Sequence, residues 1–189
     1  MKITNAEGGK GNMKNLLASL FLLLMLMVAT PINGLANAYI INPDADALVN
    51  STKPVKTYGF YYLSVYFDGT VYNRSYLKFD LTNIPDSAII TKAELSLYSF
   101  TSANSSIKPL VSVNHVSDDS WSEDTLTWNN RPAFDATALD TSMPGVNAWQ
   151  TFNLLNGNNW NYALDLSDNY LSLIIKEGEP LSSIVKQAW

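Results

Sequence analysis

The stretch that decides the fold is Ser117-Asp118-Asp119-Ser120-Trp121-Ser122-Glu123-Asp124-Thr125-Leu126-Thr127-Trp128-Asn129-Asn130-Arg131-Pro132-Ala133. Trp121 stands in an acidic, hydroxyl-rich turn. Thr125-Leu126-Thr127-Trp128 reads as a short strand, and Asn129-Asn130-Arg131-Pro132 breaks it. Outward from this stretch the chain keeps a period of two. Leu77, Phe79 and Leu81 alternate with Tyr76, Lys78 and Asp80. Ala93, Leu95 and Leu97 alternate with Glu94, Ser96 and Tyr98, and Val111 and Val113 with Ser112 and Asn114. Phe152 and Leu154 flank Asn153, and Leu171, Leu173 and Ile175 share one face with Ile174 on the other. One apolar and one polar face per segment is the pattern of half-buried antiparallel strands. Asn83-Ile84-Pro85-Asp86, residues 102–106 and Asn156-Gly157-Asn158-Asn159 supply the turns between them. Only residues 159–166 suggest a turn or two of helix.

The N-terminal part has a different character. Met13-Lys14-Asn15 opens an apolar run from Leu16 to Ala29, broken by Thr30, Pro31 and Gly34 and followed by Ala36-Asn37-Ala38. A basic start, a short apolar core and an Ala-x-Ala exit predict that residues 1–38 are an N-terminal extension (residues 1–12) plus a secretory leader opening at Met13 and cut after Ala38. The run is shorter than the roughly 20 residues a membrane span needs, so no transmembrane segment is expected after cleavage. Residues 39–189 then form a single β domain with 9 basic and 16 acidic residues, a net charge of −7. That charge argues against nucleic acid or an anionic membrane as partner. There is no cysteine, so the domain has no disulfide or thiolate metal site and must hold together by burial.

Several segments together, in order, resemble one secreted family. They are Asp44 to Asn50 with Thr57-Tyr58-Gly59; Arg74-Ser75-Tyr76-Leu77-Lys78-Phe79-Asp80-Leu81 with Ile84-Pro85; residues 89–98; the Trp121 stretch; and Trp149-Gln150-Thr151-Phe152-Asn153-Leu154. This order is similar to the DNRLRE or disaggregatase-related repeats, the carbohydrate-binding module family 96 type. The resemblance implies an all-β, two-sheet antiparallel β-sandwich, jelly-roll-like. It also implies an extracellular or cell-surface location, polysaccharide as partner and no active site. Glu179 to Trp189 departs from the family's closing strand, so the last strand is expected to be missing. Two other functions stay open: a structural or adhesive protein that contacts other surface proteins, and a fragment of a polysaccharide-degrading enzyme.

The candidate ligand contacts are aromatic. Rings pack against the C–H faces of sugars while Tyr hydroxyls bond to sugar hydroxyls. Residues 58–72 carry seven rings, of which Tyr61, Tyr62 and Tyr66 are the expected contacts; strand composition alone would also place rings in a core. Trp121 either anchors its loop or presents a stacking face. Calcium is the cofactor to consider, with Asp44, Asp46 and Asp118 as ligands, since loop carboxylates suit it; the same acids also serve turns. His115, the one histidine, lies on a strand without a triad or metal pattern around it. No catalytic residue is expected.

Overall fold

The computed structural model describes residues 24–30, 37–58, 62–100, 110–145, 147–178 and 185–186. Its strands are β1 (Leu24–Thr30), β2 (Asn37–Ile41), β3 (Ala45–Asn50), β4 (Tyr66–Phe67), β5 (Tyr72–Asp80), β6 (Ile89–Ser99), β7 (Val111–Val116), β8 (Ala138–Ser142), β9 (Ala148–Asn153), β10 (Tyr170–Glu177) and β11 (Val185–Lys186). One helix, α1 (Tyr162–Asp168), precedes β10. The smaller sheet runs β2-β1-β6-β9 and the larger β11-β4-β5-β10-β7-β8, with β3 on the flank of β5 opposite β10; every pairing is antiparallel.

The period of two accounts for the core. Ala93, Leu95 and Leu97 of β6 and Phe152 of β9 face Leu77 and Phe79 of β5, Val111 and Val113 of β7, and Leu171, Leu173 and Ile175 of β10. These residues form one cluster between the sheets, the arrangement of a β-sandwich. The all-β, two-sheet expectation is therefore met.

The larger sheet is buried on its other face too. Ala47, Val49, Tyr76, Val116 and Ile174 form a second cluster there with Trp121 and Leu126. Residues 117–137 arch over that face and supply the lid. Trp121 donates its indole N–H to Ser172 Oγ (3.0 Å), and Tyr76 donates its hydroxyl to the Pro132 carbonyl (2.9 Å). Lys78 Nζ donates to the carbonyls of Trp121 (2.7 Å) and Asp119 (3.1 Å). The expected Thr125-Leu126-Thr127-Trp128 strand is not formed; the segment is a pair of turns. Asn130 is the cause. Its Oδ1 accepts from Thr127 N–H (2.6 Å) and Thr127 Oγ1 (2.8 Å), and its Nδ2 donates to the Thr125 carbonyl (2.9 Å). Such local side-chain bonding replaces a strand ladder.

Two connections have a clear local origin. Between β4 and β5, Asp68 Oδ1 accepts from the N–H groups of Thr70 (3.1 Å) and Val71 (2.9 Å) while Gly69 takes φ +97°. Helix α1 stops at Asn169, which enters the left-handed region at φ 69° and turns the chain into β10.

The apolar segment assigned to a leader is built in as a strand: β1 pairs with β2 on one side and β6 on the other. The expected cut between Ala38 and Tyr39 falls inside β2. Of the closing segment, residues 179–184 and 187–189 lie outside the described residues, and Val185–Lys186 pairs with β4.

Candidate functional site: an aromatic platform on the smaller sheet

The outward faces of β6 and β9 form one continuous surface. On β6 the residues between the core positions are Lys92, Glu94, Ser96 and Tyr98; on β9 they are Trp149, Thr151 and Asn153. The register pairs them directly: Tyr98 with Trp149, Ser96 with Thr151, and Glu94 with Asn153. Directly opposed side chains share a face. Tyr98 and Trp149 meet edge to face, with centroids 5.5 Å apart and planes at 72°. Below them the Ser96 and Thr151 hydroxyls lie 3.2 Å apart, and Lys92 pairs with Glu94 at 2.9 Å. Trp149 is 52% exposed and Tyr98 37%. The strip therefore runs from rings to hydroxyls to an amide and a charge pair. A pyranose needs this combination: an open ring for its C–H face, with donors and acceptors beside it.

A second aromatic group, Phe67–Tyr72–Trp128, is already satisfied by its own packing. Tyr72 stacks on Phe67 (4.6 Å, 22°) and on Trp128 (5.9 Å, 24°). Arg74 lies over Tyr72 at 4.7 Å, and Arg131 covers Trp128 at 3.7 Å. Arg74 is itself ion-paired with Glu177, and Arg131 donates to the Trp128 carbonyl. Tyr72 and Trp128 thus each stack against a neighbouring ring and an arginine of the fold.

The sequence-predicted contacts are scattered. Tyr61 lies outside the described residues. Tyr62 is 43% exposed and meets Phe100 edge to face at 6.3 Å. Tyr66 is half-buried and donates its hydroxyl to Asp68 Oδ2 (2.9 Å), which raises the phenol's pKa; Asp68 is held well below the usual carboxylate range by the Val71 and Thr70 N–H groups first and by this hydroxyl after them. Trp121 is 7% exposed and anchors its loop. Tyr98 and Trp149 were not among the expected contacts. Their signal was parity: Trp149 is three residues before the inward Phe152, so a strand must turn it outward.

The three acids considered for calcium do different work. Asp44 is exposed at the start of β3. Asp118 accepts from the Ser120 hydroxyl (2.6 Å) and N–H (3.0 Å), which lowers its pKa. Asp46 is pushed up to about 6, by burial first and then by the neighbouring Glu123 carboxylate. Among the described residues no group of three His, Cys, Asp or Glu is placed to hold a metal.

His115 is buried between two carboxylates. Nδ1 lies 3.0 Å from Asp135 Oδ2 and Nε2 lies 3.1 Å from Asp165 Oδ1. Asp165 also accepts from the Trp160 indole N–H. Burial alone would lower the His115 pKa, but the two carboxylates outweigh it and raise it to about 9. The imidazolium therefore fastens α1 to β7, an arrangement in which both ring nitrogens are occupied.

No curated protein matches the chain. A known family does, over residues 37–156, which is more than half the chain and covers β2 through β9 with both strands of the platform. The chain belongs to carbohydrate-binding module family 96.

Proposed function

We propose that this chain is a secreted, non-catalytic module that binds a neutral polysaccharide of the envelope or matrix on the Tyr98–Trp149 platform. The observation that carries this reading is the half-exposed Trp149 ring, paired with Tyr98 and flanked by the Ser96–Thr151 hydroxyls on the outward sheet face. Family membership supports the ligand class. The net charge of −5 favours a neutral ligand over an anionic one. The lack of catalysis is supported by the strands of this sheet. Among their described residues they carry one carboxylate, Glu94, whereas glycosidic cleavage commonly uses two facing each other across the bond.

Affinity electrophoresis through gels cast with neutral and with acidic polysaccharides tests the proposal. Trp149→Ala is expected to weaken binding by about 1–3 kcal/mol, by analogy with aromatic stacking on bases. Its stability should fall by only about 1 kcal/mol, the scale of one aromatic pair. Unchanged retardation of both Trp149→Ala and Tyr98→Ala would remove the platform as the site.

A further inference from the structure

The end of the platform away from the rings is held as firmly as the rings are. Glu94 of β6 and Asn153 of β9 stand directly opposite each other there. Lys92 takes Glu94 by Oε2 (2.9 Å), which among the described residues leaves Oε1 as an acceptor. Asn153 is fixed at two points. Its backbone N–H donates to Oδ2 of Asp140 (2.7 Å), a residue of β8 in the other sheet, and its Oδ1 accepts from the Leu155 N–H (3.1 Å). Asp140 is anchored in turn by the Thr141 N–H (2.8 Å) and by Asn156 Nδ2 (3.1 Å). A backbone N–H can only donate, so the amide oxygen is the held end of Asn153 and Nδ2 is the end left to donate. An acceptor and an oriented donor therefore stand side by side, with Cβ atoms about 5 Å apart. That pair is complementary to two neighbouring hydroxyls, one donating to the carboxylate and the other accepting from the amide. The strands also set a direction. From Tyr98 to Glu94 is four residues of antiparallel strand, about 14 Å, with the Ser96–Thr151 hydroxyls midway. An extended disaccharide falls short of that length and a trisaccharide spans it.

We propose that the platform takes three consecutive sugars of an extended, β-1,4-linked neutral glycan laid along β6 and β9. One sugar stacks on Trp149, the second meets the Ser96–Thr151 hydroxyls, and the third is read by Glu94 and Asn153 through a free vicinal diol. This rests on the Tyr98–Trp149 reading of the site and adds to it the direction of the chain, its least length and the group that is recognised. Strands β6 and β9 run side by side over six residue pairs without a shift of register. A ribbon-like, equatorially linked chain keeps contact with all three rows, whereas a coiled α-linked chain leaves the surface after the first. Blocking the diol hydroxyls removes the donor that Glu94 needs, and a polar site rejects an analogue that leaves one of its groups unpaired.

The test is calorimetric titration of the full chain with β-1,4-glucan and β-1,4-mannan oligosaccharides of two, three and four sugars. Maltotriose, and cellotriose O-methylated at its 2- and 3-hydroxyls, are titrated beside them. At least one β-1,4 series is expected to gain about tenfold in affinity from two sugars to three, the scale of a hydrogen bond to a charged group, and little from three to four. Maltotriose and the methylated trisaccharide should bind no better than the disaccharide. Asn153→Asp keeps the oxygen that meets the Leu155 N–H and removes the N–H donor, while Glu94→Gln keeps the shape and weakens the acceptor. Each should erase most of the step from two sugars to three and leave disaccharide affinity near the parent's, with melting curves confirming the fold. Trp149→Ala should lower affinity at every length. The proposal is overturned by the absence of a step in both β-1,4 series, by maltotriose or the methylated sugar matching cellotriose, or by a full step in both variants. Any of these with Trp149→Ala still weakened leaves the platform standing and removes only the diol subsite. A parent-like Trp149→Ala removes the platform itself.

Discussion

Raising the pH from 6 to 9.5 should unfasten His115, and the loss can be sized from its contacts. The folded-state pKa is about 9, against an ordinary value of 6.5. The folded chain therefore binds this proton more tightly than the unfolded chain does. The resulting stabilisation is fully present below pH 6.5 and is lost as the pH rises through 9. At 1.36 kcal/mol per pKa unit the shift corresponds to about 3 kcal/mol. Asp135 is half exposed, so solvent screens its share and about 2 kcal/mol is the expected loss. The chain has one histidine and no cysteine, and the terminal amine also titrates in this interval. Asp46→Asn serves as the common background, because Asp46, raised to about 6, would otherwise titrate at the lower end. Urea denaturation at half-unit steps from pH 6 to 9.5 gives the curve. His115→Gln should be less stable than the parent at pH 6, since Asp165 is only 3% exposed and loses its cation, yet its own curve should be nearly flat over the interval. A flat parent curve, or equal slopes in parent and variant, would refute the assignment of the charged imidazole as the fastener of α1.

Three further outcomes follow from the same structure. Asp46→Asn should stabilise the fold at pH 7 by about 1–2 kcal/mol after screening and give nothing at pH 4, because a carboxyl raised to about 6 penalises the fold only once it is ionised; paired melts at the two pH values check this. Trp128→Ala should cost about 2–4 kcal/mol in chemical denaturation while glycan retardation at saturating folded protein stays at the parent value, since its ring is sandwiched by Tyr72 and Arg131. Gly69→Ala should cost about 1 kcal/mol through backbone strain alone, as φ is +97° and no atom lies within 4 Å of the added methyl; a cost near zero by thermal melting would contradict the turn geometry.

The parts of the fold that could be read in the chain were those in which one residue's neighbours decide its face. Leu171, Leu173 and Ile175 against Ile174 is the clearest case: both sets are buried, but in different clusters, one between the sheets and one beneath the 117–137 arch. The Thr125–Trp128 strand was misread because four alternating residues carry no information about Asn130, whose amide captures the backbone locally. The ligand candidates were drawn from ring density in residues 58–72. Density is a local signal and does not tell which rings share a face: Tyr62 meets Phe100, whereas Tyr66 bonds to Asp68. Tyr98 and Trp149 lie 51 positions apart in the chain, and nothing local announces that β6 and β9 are neighbours. Likewise His115 meets Asp135 through the return of the 117–137 arch and Asp165 through the docking of α1.

Strand β10 has an implication for how the polypeptide comes into being. It hydrogen-bonds to β5 on one side and β7 on the other, so the centre of the larger sheet is delivered only after both of its neighbours have emerged. Until residue 177 has emerged, the two halves of that sheet have nothing to join them, and the contacts that reward closure span about a hundred residues. Nascent chain therefore accumulates with that sheet in two unjoined halves rather than as a closed native sandwich. On the secreted reading proposed above, a chain that cannot close early is also the form that an export channel accepts. The cost is that its unpaired strands need shielding on the way, and a holding chaperone would be expected to prefer this chain to one of equal size whose central strand is made first.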